Sequence, residues 1–272
     1  MSVLAALVWV ALGVGVGAYG TLIGAGGGFV LVPILLLIYP HQSPTELTAV
    51  SLAVVFANAA SGSVSYFRMR RVDYRTGWVL ALATLPGAIA GALVVGSLPR
   101  AGFNLLMGIA LLLVAAFLLL KPKGTLPLFL NAPWTVNRRV QDSDGMTYAY
   151  RFNLGLATIL STAVGFLSSL LGIGGGIIHV PLLTTFFAFP AHLATATSHF
   201  VLMIMAGAAT VTHIAHGDYG PFVGITVALA IGVVVGAQMG AALSRRVAGG
   251  LIIRLLALAL GLVGIRLLLL SV

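Results

Sequence analysis

The 272-residue chain carries 60% hydrophobic and only 7% charged residues, with a mean hydropathy of +1.13, whereas a soluble domain has about 25% charged residues. Its formal charge of +9 lies on no soluble domain that could present a basic stripe, which excludes nucleic acid as a partner. The complete lack of cysteine excludes disulfides, thiolate metal sites and a membrane thiol relay, leaving an all-α polytopic membrane protein.

Apolar segments are predicted at 3–22, 28–39, 45–67, 76–98 and 102–120, several of them near the ~20 residues that cross a hydrocarbon core. The first has no preceding Lys or Arg and no small-residue cleavage site ahead of a polar sequence, so it reads as a retained span rather than a secretory signal. Between the first two lies Gly24-Ala25-Gly26-Gly27-Gly28, followed by Pro33. Glycine weakens helices, so such a cluster at membrane depth predicts irregular backbone lining a cavity. The 37 residues from Val3 to Tyr39 give about 55 Å of continuous helix. That length fits either two thin crossings or a hairpin turning inside the membrane at the glycines. Ser43-Pro44-Thr45-Glu46 is a capping box with Pro at the first helical position, which assigns Glu46 to a helix start.

Residues 121–152 form the one long polar region. Val136, Arg138 and Val140 alternate with polar neighbours, Asp142-Ser143-Asp144-Gly145 signals a turn, and Thr147 to Arg151 resumes a strand-like pattern, predicting a hairpin. Its role stays open between a solvated linker and a gating or partner-binding element.

Spans then recur at 153–171, 177–189, 192–213, 220–243 and 250–270, and the second half repeats the first. From Gly24–Leu35 against Gly172–Leu183, 7 of 12 positions are identical at an offset of 148. Further on, Thr48 to Ser51 correspond to Thr195 to Ser198, and Asp73-Tyr74 to Asp218-Tyr219. The predicted units are a first repeat, 1–120, a cytoplasmic linker, 121–152, and a second repeat, 153–272. Five spans is an odd number, so the repeats are expected to be inverted. Loop charge agrees: Arg68, Arg70, Arg71 and Arg75 crowd one loop whose counterpart, 213–220, has no Lys or Arg. In the next loop the bias reverses, with Arg100 alone against Arg245 and Arg246. The linker adds Lys121, Lys123, Arg138, Arg139 and Arg151. The positive-inside rule then puts the linker in the cytoplasm and both termini outside.

Chain breaks expose backbone N–H groups, and a half-helix starting after Gly28 or Gly176 aims its positive end at the cavity, which suits a small oxyanion. The candidate ligand-binding residues are Gly26, Gly27, Gly28, Gly174, Gly175 and Gly176 at the breaks, with tight helix packing as the alternative. From the helix after each break come Thr48, Ser51 and Asn58, and Thr195, Ser198 and His199, each set on one face. Their hydroxyls could instead bond a carbonyl one turn back. Leu31 and Leu52 are replaced by His179 and His199, so the site is expected to be asymmetric, and Gln238 is a further polar residue within a span. Histidine there permits proton coupling or charge compensation, or serves structurally by donating to a carbonyl. Gly87, Gly91, Gly232 and Gly236, spaced by four, read as packing positions. His213 and His216 are expected to be solvated beside Asp218. With Asp73, Asp142, Asp144 and Asp218 all in loops, no carboxylate relay or paired-carboxylate enzyme site is expected.

Two G-x-G-G-G-x-x-x-x-P segments, each followed by a Thr/Ser-bearing helix, with Asp-Ser-Asp-Gly and Tyr-x-Tyr in the linker, resemble the TauE/SafE family of sulfite and organosulfur anion exporters, over about Tyr19 to Arg266. The resemblance implies a transporter, not an enzyme, for sulfite, thiosulfate, sulfoacetate or related anions in a bacterial cytoplasmic membrane. The expected partners are such an anion and the lipid bilayer, with a homodimer left open, and no cofactor or metal is expected. The mechanism expected is alternating access between the two repeats, with ion-coupled uptake, a channel and, last, a membrane-embedded metalloenzyme as competing readings.

Overall fold

The computed structural model describes residues 2–120, 133–244 and 250–271. Lys121, Lys123, Arg245 and Arg246, which carry part of the expected charge bias, lie outside the described residues. The chain forms helices α1 (Val3–Ile23), α2 (Gly28–Ile38), α3 (Pro44–Arg68), α4 (Tyr74–Val94) and α5 (Arg100–Leu120). A two-stranded hairpin follows, β1 (Thr135–Gln141) and β2 (Thr147–Asn153). Then come α6 (Leu154–Leu171), α7 (Gly176–Pro181), α8 (Ala191–His216), α9 (Val223–Leu243) and α10 (Gly250–Leu269). Seven helices among the described residues are long and apolar enough to cross a membrane. The outward faces are apolar, with Leu7, Leu82, Leu113, Ile159 and Val235 exposed, while Thr21, Ser51, Asn58 and His199 are fully buried. A polar interior beneath an apolar surface fits lipid as the solvent.

Local sequence explains where these helices stop. Gly24 (φ 82°) and Gly172 (φ 66°) take the left-handed conformation that ends α1 and α6, a conformation costly for a residue with a Cβ. Asp73 caps α4 by accepting from the Thr76 N–H, and Asn153 caps α6 through Leu156. Ser43 caps α3, with Pro44 at its start and Glu46 in its first turn, although Glu46 bonds the Gln42 amide rather than the backbone.

Neither α2, with 11 residues, nor α7, with 6 residues before a π-helical turn at Leu182–Phe186, can cross about 30 Å of hydrocarbon at 1.5 Å per residue. Each runs back along the helix before it. A Cβ on Gly27 would lie 2.7 Å from Val16, and Tyr39 stacks on Trp9 at 6.3 Å. In the second half Gly175 faces Val164, and Phe187 and Phe189 reach Phe152. Of the two geometries open from sequence, the hairpin at the glycines is the one observed.

Glycine also sets how the long helices pair. A Cβ on Gly232, Gly236 or Gly240 would fall 2.1–2.2 Å from the carbonyl oxygens of Val10, Val14 and Ala18 in turn, so α1 and α9 run parallel in backbone contact. Gly87 and Gly91 meet the carbonyls of Thr162 and Phe166 in the same way, making α4 parallel to α6. These close crossings are what small residues at a four-residue spacing allow in a membrane. Helices α3 and α8 cross antiparallel, with Gly62 against His199 and Phe56 against Gly207.

The predicted hairpin is present, with Thr135 opposite Asn153 and Gln141 opposite Thr147. It docks on the α3–α4 loop. Arg71 pairs with Asp142 and Asp144 at 3.4 and 3.2 Å, the Tyr150 hydroxyl donates to Asp73 at 2.7 Å, and Arg138 approaches Asp73 at 3.6 Å. Asp73 and Asp142 are loop residues, as expected, but both are buried. Burial, then the Asp73 charge, pushes the Tyr150 phenol above its ordinary value, keeping it a donor.

Desolvation acts upward on the Asp142 carboxyl but is outweighed by the Met146 and Asp144 N–H groups and Arg71, which hold it below the usual carboxylate value. A carboxyl depressed in the folded state contributes stability that is present above its unfolded value of about 3.9 and lost as pH falls through the lower folded value. Hydrogen exchange of residues 142–150 is therefore expected to stay slow down to about pH 4 and to accelerate below it. In Asp142→Asn the amides are expected to be faster already at neutral pH. Identical exchange in the two proteins would remove Asp142 as a docking group.

Candidate functional site

The two glycine turns pack against each other in the interior. A Cβ on Gly28 would lie 2.6 Å from the Gly172 carbonyl oxygen, and one on Gly176 would lie 2.1 Å from that of Gly24. Each turn also rests on the helix that follows the opposite turn. Thr48 lies against Gly172, and Thr195 presents its methyl to Gly24. Six glycines and two threonines expected at the site thus meet in one place, with their roles divided. Gly26 faces Leu202 and Val55, Gly27 faces Val16, and Gly174 faces Val55 and the Ala25 carbonyl. A Cβ on Gly175 would lie 3.1 Å from Val164 and 3.3 Å from Met205, at the edge of a small space.

That space is a cavity of about 10 Å³ bounded by α4, α6, α7 and α8 and lined by Gly175, Gly176, His179, Ser198, Thr84 and Met205. It has room for roughly one water. His179 Nε2 lies 3.0 Å from Ser161 Oγ, while the buried Ser198 hydroxyl has no partner. The equivalent position in the first half is closed: Leu31 replaces His179, and Ser51, the counterpart of Ser198, donates to the Gly172 carbonyl at 2.6 Å. The asymmetry expected from the leucine-to-histidine replacements is therefore built into the packing.

A second polar cluster lies across the junction. Thr21 donates to Asn58 Oδ1 at 3.1 Å, leaving Asn58 Nδ2 buried without a partner. His199 is fully buried, in edge contact with Tyr66 at 5.4 Å and tight against Gly62. Neither ring nitrogen has a well-aligned hydrogen bond; the Gly24 backbone is the polar group beside it. Ser168 and Ser169, near the end of α6, also have buried hydroxyls without partners. Buried polar groups are normally satisfied, because an unmade bond there costs about 1–3 kcal/mol. Several orphaned donors around one junction are hydrogen-bonding capacity that the fold itself leaves unused.

Not every expected residue contributes. Thr48 donates to the carbonyls of Pro44 and Thr45 within its own helix, the alternative weighed for it, and Ser51 is spent on Gly172. Gln238 lies on an exposed face of α9, where it donates to the Ser61 carbonyl and accepts from Ser65, stapling α9 to α3 away from the cavity. His213 corrects an expectation, for it is fully buried with Nδ1 2.7 Å from Asp218 rather than solvated; the chain turns sharply at Gly217 (φ 73°) and folds Asp218 back onto α8. Ser161, Thr21, Tyr66, Ser168 and Ser169 were not anticipated. Ser161 becomes legible only once α7 is known to double back along α6, which puts it beside His179.

A larger cleft of about 500 Å³ opens between α5, α6 and α7, lined by side chains such as Leu106, Ile109, Phe117, Leu171, Ile177 and Phe186. Its almost wholly apolar wall offers nothing to an anion.

Comparison with known proteins covers the chain almost end to end. Residues 9–267 match the family described as Sulfite exporter TauE/SafE. The chain is similar to the probable membrane transporter protein YunE of Bacillus subtilis, at 31% identity over 267 residues and 96% of each sequence. It is also similar to the probable membrane transporter protein MJ0441 of Methanocaldococcus jannaschii, at 24% identity, covering 93% of this chain and 92% of that protein. No solved structure matches it.

Proposed function

The chain belongs to the sulfite exporter TauE/SafE family and is a multi-pass membrane transporter by that membership, and from this premise we propose that it exports a small sulfur-containing anion by alternating access. The candidate anions are sulfite, thiosulfate and organosulfonates such as sulfoacetate. The observation that carries this reading is the junction of the two glycine turns, where Ser198 holds a buried hydroxyl without a partner in the cavity beside His179, and Asn58 and His199 hold further unpartnered polar atoms across the junction. Gly175, His179 and Ser198 at the cavity and Asn58 and His199 across the junction are the proposed contacts of the anion, and Thr195 and the remaining turn glycines shape the surrounding wall.

Two inverted repeats, 1–120 and 153–272, supply the moving parts. The parallel pairs α1 with α9 and α4 with α6, and the antiparallel crossing of α3 with α8, support opposite orientation of the halves. The hairpin bonds the α3–α4 loop, so the arginines of that loop and of the linker share one face, which the positive-inside rule makes cytoplasmic. Both termini then lie outside a bacterial cytoplasmic membrane. A negative interior favours expulsion of an anion by about 2.3 kcal/mol per charge per 100 mV, so export needs no other energy source.

The test is uptake of radiolabelled sulfite into proteoliposomes, with saturation and counterflow measured. Saturable exchange is the expected result, and absence of sulfite, thiosulfate and sulfoacetate flux from folded protein removes the assignment. His179→Leu and His199→Leu, which copy Leu31 and Leu52, are each expected to lower the flux about tenfold or more, on the scale of losing one hydrogen bond to a charged ligand. Wild-type kinetics in either variant would take that histidine out of the site. Collapsing an imposed proton gradient separates export from proton-coupled uptake, the second reading that buried imidazoles allow.

A further inference from the structure

We propose, resting on the transport reading above, that the site accepts its anion singly charged: hydrogensulfite or a simple alkanesulfonate, and not a dianion such as sulfate, thiosulfate or sulfoacetate. The groups around the cavity and across the junction are all formally uncharged residue types or histidine: His179, Ser161, Ser198, Asn58, His199 and glycine backbone. Among the described residues, the buried Lys, Arg, Asp and Glu side chains are Arg71, Asp73 and Asp142. All three are at the hairpin contact and already paired, Arg71 with Asp142 and Asp144, and Asp73 with Arg138. Among the described side chains, no fixed cation is therefore placed to compensate charge at the glycine turns.

The cost of taking an ion out of water grows as the square of its charge, and an uncompensated buried ion is among the most expensive things a protein interior can hold. Oriented dipoles and neutral donors can stabilise one negative charge, as helix starts and hydroxyls do at many oxyanion sites. A second charge raises the desolvation cost fourfold in the Born limit, while the number of donors stays the same. Hydrogen-bonding capacity points the same way. Serine hydroxyls and a neutral imidazole each bring acceptors as well as donors. Hydrogensulfite in addition carries a proton that Ser161, Ser198 or His179 can accept, which neither a dianion nor an alkanesulfonate offers.

The proposal separates substrates that share sulfur and oxygen but differ in charge at neutral pH. Methanesulfonate is a permanent monoanion there, while sulfate and thiosulfate are dianions. Wild-type protein in proteoliposomes is loaded with radiolabelled sulfite, and each of the three is titrated as a competitor at neutral pH. Methanesulfonate is expected to inhibit at a concentration about tenfold or more below that needed of sulfate or thiosulfate, a separation of 1.4 kcal/mol or more. Equal or stronger inhibition by either dianion, or no inhibition by methanesulfonate, overturns the monoanion assignment and leaves sulfur-anion transport standing. No flux of any sulfur anion from protein shown to be folded overturns both.

Discussion

Gly175→Leu is expected to abolish anion flux while the protein still inserts and folds. Gly175 has φ −57°, a conformation open to any residue, so the substitution brings no backbone strain. The nearest atoms to an added Cβ are Val164 Cγ1 at 3.1 Å and the flexible end of Met205 at 3.3 Å, which can give way. A leucine side chain is far larger than the cavity of about 10 Å³ beside His179 and Ser198, so it occludes that space and displaces Val164 and Met205, and overpacking of this kind costs about 1–3 kcal/mol of stability. Flux should fall to the background of empty liposomes, while the protein still elutes as a monodisperse peak with a melting temperature lowered by roughly 2–10 °C. Retained flux would show that the anion does not pass this face of the turn.

Gly176→Ala, one residue on, is expected to act through the fold instead. Its Cβ would sit 2.1 Å from the Gly24 carbonyl oxygen and 2.6 Å from the Ala25 Cα, both backbone atoms of the opposite turn. The two hairpins can accommodate a methyl there only by separating, which removes the contact on which the junction depends. A loss of about 3 kcal/mol or more is expected, visible as a lower melting temperature and a poor yield of monodisperse protein. Gly15→Ala supplies the control, because nothing lies within 4 Å of its Cβ in the middle of α1. That change should alter stability by no more than about 1 kcal/mol, in the stabilising direction expected of alanine in a helix. Equal stability of the two variants would mean that the turns are not in the contact described.

The contrast between these neighbours is invisible in a run of glycines. Sequence alone gives Gly174, Gly175 and Gly176 identical side chains and similar surroundings, and one helix-packing alternative applied to all of them. In three dimensions Gly176 is the packing position and Gly175 faces the cavity, because the α7 backbone turns about 100° from one to the next. The same rotation separates Ser198, beside His179, from His199, which points across to Gly62 and Tyr66.

Membrane embedding, the position of each helix and the polar hairpin were determined by the sequence itself. Each depends on local or periodic properties: runs of apolar residues long enough for a bilayer, glycine and proline where helices stop, alternation and an Asp-Ser-Asp-Gly turn in the linker. The tertiary structure decided which side chains share a space. The helix after each glycine turn packs on the turn of the other half, as Thr48 does on Gly172 and Thr195 on Gly24. It also decided that Ser51 and Thr48 are occupied by carbonyls, that Gln238 staples two helices away from the cavity, and that His213 is buried against Asp218. Periodicity fixes the face of a helix on which a residue lies. Which helix meets that face depends on close approaches of backbone to backbone between residues as far apart as Val10 and Gly232, and such contacts leave no signal in the local pattern of the chain.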